Sequence, residues 1–423
     1  MEFLTSGQKV KKLRKLLNMK QHDLQGKNVT RGLISLIEVD KRGVSSETSH
    51  VLATKFIEKA TKIGIEIKID DEYFKRTPVE DAERYCIEKF RKNPSLVELN
   101  LILDISEKFS LESIQAEAHK LLGDIFYQKS YYGYSFEHYL SSVTISIKLQ
   151  LMSTLSYLYN RMGICKTNML MYLESLFYLN KAYYYSSLYN DLSTKMKVVY
   201  NMGRSYKKLE RYDEAIKYLN EYDSICDKKG DFTSYAYGKI LISNCYRRKN
   251  MFNKAISIYD ELINQCSGKH NDILGYIYNN LGDIYSELNN FDTSLNYFEM
   301  AERIRIDIDK NNLPYTYIDK ARVYLKMENF TEAKDIVNMS LDHIKQNPNM
   351  EVEVSAYYIL AEIYSYKQDF ESVKRVHLHL VELLNVKEKK SELIKIYSKL
   401  AEIYMNEHDY TMSKKYLEMI RNT

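Results

Sequence analysis

The stretch YNNLGDIYSELNNFDTSLNYFEMA, running from Tyr278 to Ala301, reads as two amphipathic helices joined by a short polar turn. Gly282 and Tyr285 stand one turn apart on the first helix, and Ser294 and Phe298 on the second. A small residue lets two helix backbones approach closely, and aromatic rings fill the space between neighbouring hairpins. The arrangement recurs along most of the chain. Its small anchor falls at Gly123, Gly163, Gly203, Ser243, Gly282, Ala321, Ala361 and Ala401, a spacing of 39–40 residues kept through eight copies. Twelve residues past each anchor comes a short side chain, from Ser135 and Ser175 to Val373 and Ser413, and four further on a larger one such as Tyr139, Leu179 or Phe298. A lone helical hairpin cannot bury its apolar face, so copies at a fixed spacing must stack.

This pattern resembles the tetratricopeptide repeat, with a period longer than the usual ~34 residues and hence longer helices. The resemblance implies an all-α chain whose residues 78–423 wind into a right-handed superhelical solenoid. Residues 78–110, opened by Pro78, read as a degenerate first hairpin. Four prolines and fourteen glycines in 423 residues are too few to punctuate a many-stranded fold.

The five cysteines, Cys86, Cys165, Cys226, Cys245 and Cys266, are scattered and form no CxxC, which argues against a zinc site or a disulfide framework and points to a reducing, cytoplasmic setting. The polar, basic start carries no apolar signal region, and no run of about 18 apolar residues would span a membrane. Phosphate-binding and zinc-protease motifs and the nucleophile elbow are all missing. His377 and His379, the closest histidine pair, point to different sides of a helix. The sequence therefore predicts neither enzyme nor cofactor nor metal.

Charge separates the chain into two parts. Residues 1–64 hold 13 basic and 6 acidic side chains, against 48 and 51 in the remainder. A basic head on a mildly acidic body fits a DNA-binding module joined to one that binds something else. Within the head, residues 6–17 place Val10, Leu13, Leu16 and Leu17 at helical spacing, with Lys9, Lys11, Lys12, Arg14 and Lys15 on the other faces. Gln21 to Gln25 reads as a short second helix. Thr30 is placed to cap a third helix from Arg31 to Glu38, with Val29 stapled against Ile34, and Ser46 to cap a fourth carrying Leu52 and Phe56.

Val10…Leu13-Arg14, Lys20-Gln21-x-x-Leu24 and Val29-Thr30-Arg31…Ile34-Ser35-x-Ile37-Glu38 together resemble the helix-turn-helix of the Xre/Cro-repressor superfamily. Gln25 stands where a small residue is usual, the following turn is one residue short, and Gly43 comes late after Glu38. The resemblance implies a DNA-binding domain at 1–64, followed by a linker at 65–77. Lys20, Gln21, Thr30, Arg31, Gly32 and Ser35 would face a double-stranded DNA operator, with Lys41 and Arg42 on its phosphates.

Three repeats share a phrase at the anchor: Tyr159-Asn160-Arg161-Met162-Gly163, Tyr200-Asn201-Met202-Gly203 and Tyr278-Asn279-Asn280-Leu281-Gly282. Asparagine is a modest helix former, and its amide offers the donor and acceptor that match a peptide bond. Asn160, Asn201, Asn279 and Asn280, with Asn244, are thus expected to hold an extended peptide by its backbone. Arg161, Arg204, Arg247 and Asp283 would read its charges, and Tyr200, Tyr237 and Tyr276 its side chains. A helix-turn-helix followed by such repeats resembles the RRNPP family of peptide-pheromone receptors. That resemblance implies a cytoplasmic quorum-sensing transcription regulator, a homodimer or higher assembly, whose DNA binding is altered by a short signal peptide. The alternative is a repeat scaffold, or a Rap-like modulator, that binds a phosphorelay or other protein partner.

Overall fold

The computed structural model describes residues 2–228, 230–266, 270–345, 347–385 and 390–422, and among them every regular element but an isolated bridge is helical. Two compact bodies divide the chain, Met1–Ser205 and Tyr206–Thr423.

The first body begins with α1 (Ser6–Leu16), a single 3-10 turn (Gln21–Leu24), α2 (Arg31–Glu38) and α3 (Ser46–Lys62). Val10, Leu17, Leu24, Ile34, Ile37, Leu52 and Phe56 form one buried cluster, each contributing about 1.5–3 kcal/mol by leaving water. The second helix of the sequence reading is thus a four-residue turn. The short connection after it is closed by paired backbone bonds between Gly26 and Val29, with Asn28 in the left-handed region at φ 63°. Thr30 Oγ1 accepts from the Leu33 amide at 3.2 Å, so the expected cap is present. The cap of α3 is Ser45 rather than Ser46, accepting from Thr48 N at 3.2 Å.

Residues 65–77, read from the sequence as a linker, are irregular but closely packed. Ile67, Ile69 and Tyr73 lie against the head cluster, and Phe74 belongs to its buried core. Lys9, placed by periodicity on a polar face, is 2% exposed. Its Nζ donates to the carbonyls of Tyr73 (3.0 Å) and Arg76 (2.7 Å) and pairs with Asp81. A buried ammonium is tolerable when each proton has an acceptor, as here.

Four helices and the start of a fifth complete this body after α4 (Pro78–Phe90) and α5 (Leu96–Lys108): α6 (Glu112–Gln128) with α7 (Tyr132–Lys148), α8 (Leu155–Asn168) with α9 (Tyr172–Leu188), and α10 (Leu192–Lys208), which carries the boundary. Phe3 sits edge-on to Tyr85 and Phe109, at 5.9 and 5.5 Å, fixing the N-terminal residues to the first hairpin. The second body holds α11 (Tyr212–Ile225), then α12 (Phe232–Arg248) with α13 (Phe252–Cys266), α14 (Asn271–Glu287) with α15 (Phe291–Ile308), α16 (Leu313–Lys326) with α17 (Phe330–Ile344), α18 (Met350–Tyr366) with α19 (Phe370–Asn385), and α20 (Lys390–Asn406) with α21 (Tyr410–Asn422).

The anchors act by close approach. A Cβ on Gly282 would stand 2.7 Å from the Phe298 ring, so only glycine lets that ring lie on the first helix. At three of the four repeats whose residue twelve positions on is serine, its hydroxyl donates to the anchor's carbonyl: Ser135 to Gly123 (2.8 Å), Ser294 to Gly282 (2.6 Å), Ser413 to Ala401 (2.9 Å); at the fourth, Thr167 bonds Gly163 and Ser175 bonds Thr167. The hairpins of the eight repeats turn alike. One residue per repeat, from Ser130 and Leu170 to Gln368 and His408, takes φ 57–63°. The next amide then reaches back to the carbonyl five residues earlier at 2.9–3.0 Å. This is the Schellman closure of a helix end.

Candidate functional sites in the head and along the first helices

On the head, α2 turns Ile34 and Ile37 inward and leaves Arg31, Gly32 and Ser35 exposed. Lys20, Thr30, Lys41 and Arg42 are also exposed, so seven of the eight residues read as DNA contacts lie at the surface. Gln21 differs. It is half-buried, and its Nε2 donates to Glu38 Oε2 at 3.0 Å. Glu38 also takes a two-pronged bond from Arg14, at 2.5 and 2.9 Å. Burial alone would raise the Glu38 carboxyl, yet the bonds from Arg14 and Gln21 hold it below the ordinary carboxylate range. This triad, with only Glu38 buried, joins α1, the 3-10 turn and α2, and it fixes how the outer face of α2 is presented.

In the first body, Asn160 and Asn201 are both buried and bond each other, Nδ2 of Asn201 donating to Oδ1 of Asn160 at 3.1 Å. Arg161 donates to the Tyr139 hydroxyl at 2.9 Å, lies 3.3 Å from Asp124, and stacks 4.1 Å from the centre of the Tyr127 ring. The hydroxyls of Tyr139 and Tyr157 both donate to the same Asp124 oxygen, at 2.6 and 2.7 Å. Burial, reinforced by that carboxylate, pushes both phenols far above their usual range. Tyr200 is half-buried, its phenol raised by burial, and Arg204 one turn on is exposed.

In the second body, Arg247 of α12 reaches forward to α14, bonding Asp283 at 2.7 Å and Glu287 at 2.6 Å. Asn244 accepts from the Tyr259 hydroxyl at 3.0 Å. Asn279 is buried and fully engaged: Nδ2 donates to Asp319 at 3.0 Å, and Oδ1 accepts from Arg305 and Thr316, each at 2.9 Å. Arg305 is itself buried, and burial pulls its guanidinium down from the usual value. Asn280 donates to the Tyr276 carbonyl within its own helix at 2.8 Å. The Tyr276 hydroxyl accepts from Asn312 at 2.8 Å, and its ring meets Tyr237 edge-on at 5.9 Å. Burial and the nearby Asp319 charge push the Asp283 carboxyl up to about 7, against the pull of Arg247.

The twelve residues read as peptide contacts thus fall into two groups, one in each body, and most already have partners within the protein. Asp124, Glu287, Arg305, Thr316 and Asp319 escaped the sequence reading. A signal for some of them existed: Arg247 and Glu287, and Asn279 and Asp319, are each 40 residues apart, one period of the repeat. Among the described residues no cluster of histidine, cysteine or carboxylate side chains could hold a metal ion, and no helix is long and apolar enough to cross a membrane.

Tetratricopeptide-repeat family models match residues 197–229 and 236–307. No curated protein matches the chain in sequence. Among solved structures it is similar to the apo form of the quorum sensor NprR from B. thuringiensis, at 18% identity over 81% of this chain and 98% of that one, with a TM-score of 0.54. The apo form of RapI gives 12% identity over 82% and 97%, with a TM-score of 0.53. A signal-transduction ATPase with a tetratricopeptide-repeat sensor, PH0952 from Pyrococcus horikoshii, gives 14% identity over 97% and 69%, with a TM-score of 0.50. These likenesses establish a tetratricopeptide-repeat fold of the kind built by NprR and RapI.

Proposed function

Starting from a tetratricopeptide fold like that of NprR and RapI, joined to a small basic helical head, we propose that this protein is a cytoplasmic, peptide-responsive transcription regulator. The head binds a double-stranded operator through Lys20, Thr30, Arg31, Gly32 and Ser35, with Lys41 and Arg42 on the phosphates. The observation that carries this reading is the outer face of α2. Its N-terminal residues are exposed, capped by Thr30, and held in place from behind by the Arg14–Glu38–Gln21 triad. Gln21 serves the site by positioning α2. A short peptide binds the polar face of the first helices and acts through its different affinity for the states of the assembly that do and do not bind DNA.

The test is a salt titration of the full chain on DNA from upstream of its own gene. Affinity should fall linearly on a log–log plot, with a slope of about −0.9 for each phosphate neutralised. Arg31→Ala should weaken binding to the preferred sequence by about 1–3 kcal/mol and leave the helical content unchanged. A full chain with no salt-dependent DNA affinity would overturn the regulator and favour a modulator of a protein partner.

A further inference from the structure

The second helix of each repeat turns one stripe to solvent, and that stripe is polar in α11, α13 and α15. At the position of Phe177 in α9 these helices carry Lys217, Ser257 and Asn296, and at the position of Leu173 they carry Asp213, Asn253 and Asp292. On α9 the stripe is Leu173, Phe177, Tyr184 and Leu188, each between 55 and 69% exposed. The spacing puts all four on one side of the helix. Leaving such residues in water is unfavourable, and contiguous exposed apolar patches mark interaction sites.

The stripe reads the same from either end. About a point between Asn180 and Lys181, Leu173 mirrors Leu188 and Phe177 mirrors Tyr184. Two copies of such a helix laid antiparallel across a two-fold axis bring leucine against leucine and phenylalanine against tyrosine, which is what an isologous interface requires. Its centre is an open groove of about 380 Å3 lined by Phe177, Asn180, Lys181, Tyr184 and Tyr185, with room for a ring. The Lys181 ammonium is folded over the rings of Phe177 (4.9 Å) and Tyr159 (5.2 Å). Leu170 and Leu192, just beyond the helix's ends in sequence, are exposed as well, at 71 and 63%, and a standard interface takes ~800 Å2 from each partner.

We propose that α9 is a self-association surface whose occupant is the α9 of a second copy of this chain, antiparallel across a two-fold axis. This names a contact that builds the assembly invoked in the proposed function, and it stands independently of whether the head reads DNA. The full chain should sediment as a dimer at micromolar concentration. Phe177→Lys/Tyr184→Lys should raise the dissociation constant by about 100-fold or more, with circular dichroism and Tm unchanged. As a second arm, Asn180→Cys, near the axis, should give a covalent dimer on mild oxidation, which the parent chain and Leu173→Cys do not. Leu173 and its mate would lie about 22 Å apart, from 15 residues at 1.5 Å rise. The proposal is overturned if the parent chain stays monomeric at about 100 μM, if the lysine variant still dimerises, or if Leu173→Cys cross-links as readily as Asn180→Cys. Loss of DNA binding from an intact dimer would instead sink the regulator reading and leave this interface standing.

Discussion

The two polar clusters on the first helices share an aspartate just after the anchor, Asp124 and Asp283, but surround it differently. In the first body one guanidinium, Arg161, and one carboxylate, Asp124, are enclosed by the rings and hydroxyls of Tyr127, Tyr139 and Tyr157. Every strong charge there has its counterpart, and aromatic surface excludes water. In the second body Arg247 serves two carboxylates, Asp283 and Glu287, while Asp319 presses a further negative charge on Asp283. Asp319 is itself held by Arg322 at 2.7 Å and by Asn279 at 3.0 Å. The first cluster is thus closed on a single pair, and the second is a wider network in which several charges depend on one another.

Removing the central arginine from each cluster should distinguish the two most strongly. Arg247→Ala leaves two partly buried carboxylates facing each other, and at pH 8 should destabilise the protein by about 3 kcal/mol in denaturant titrations. A loss under about 1 kcal/mol would mean that the cluster relaxes into solvent. Arg161→Ala should cost less, about 2 kcal/mol, because the tyrosine hydroxyls still bond Asp124. If it cost more than Arg247→Ala, the closed pair, and not the wider network, would be the one more dependent on its arginine.

Acidity provides a gentler probe. An ordinary aspartate ionises near pH 4, whereas that of Asp283 is raised to about 7. Between these values the folded state holds a proton that the unfolded state has released. This contribution to stability is complete below pH 4 and is lost as pH rises to 7. Asp283→Asn should therefore flatten the fall of stability with rising pH within that window. An unchanged profile would show that Arg247 keeps the carboxylate ionised. The smallest effect is expected at Asn201→Ala, which leaves one Asn160 acceptor unpaired and should cost about 1 kcal/mol.

The repeat architecture was legible because packing must recur at fixed spacing: the 39–40-residue register already locates each hairpin. The turns were not. Their left-handed residue is Ser130, Leu170, Glu210 or His408 as readily as Asn250, and no glycine marks the place. Backbone bonds of the Schellman closure hold the conformation whatever the side chain. In the head, periodicity found the core but misplaced Lys9, whose acceptors are carbonyls in a stretch with no periodicity at all. Gln21 was assigned by its place in a motif, which says nothing of the buried Glu38 beside it. The asparagine phrases mark polar positions on the first helices, yet asparagine bonds a neighbouring repeat as well as a ligand, and only the fold shows Asn160 already paired with Asn201.

The stretch between head and first hairpin has a mechanical consequence. A flexible tether would let the head swing freely, whatever happened in the helices behind it. Here the Lys9 ammonium grips two carbonyls of that stretch and Asp81 of α4, Phe74 is sunk in the head, and Phe3 is wedged between Tyr85 and Phe109. Three separate fastenings leave little slack. Head, connecting stretch and first hairpin are thus fastened as one piece, and a rotation of α4 and α5 would carry the exposed side of α2 with it.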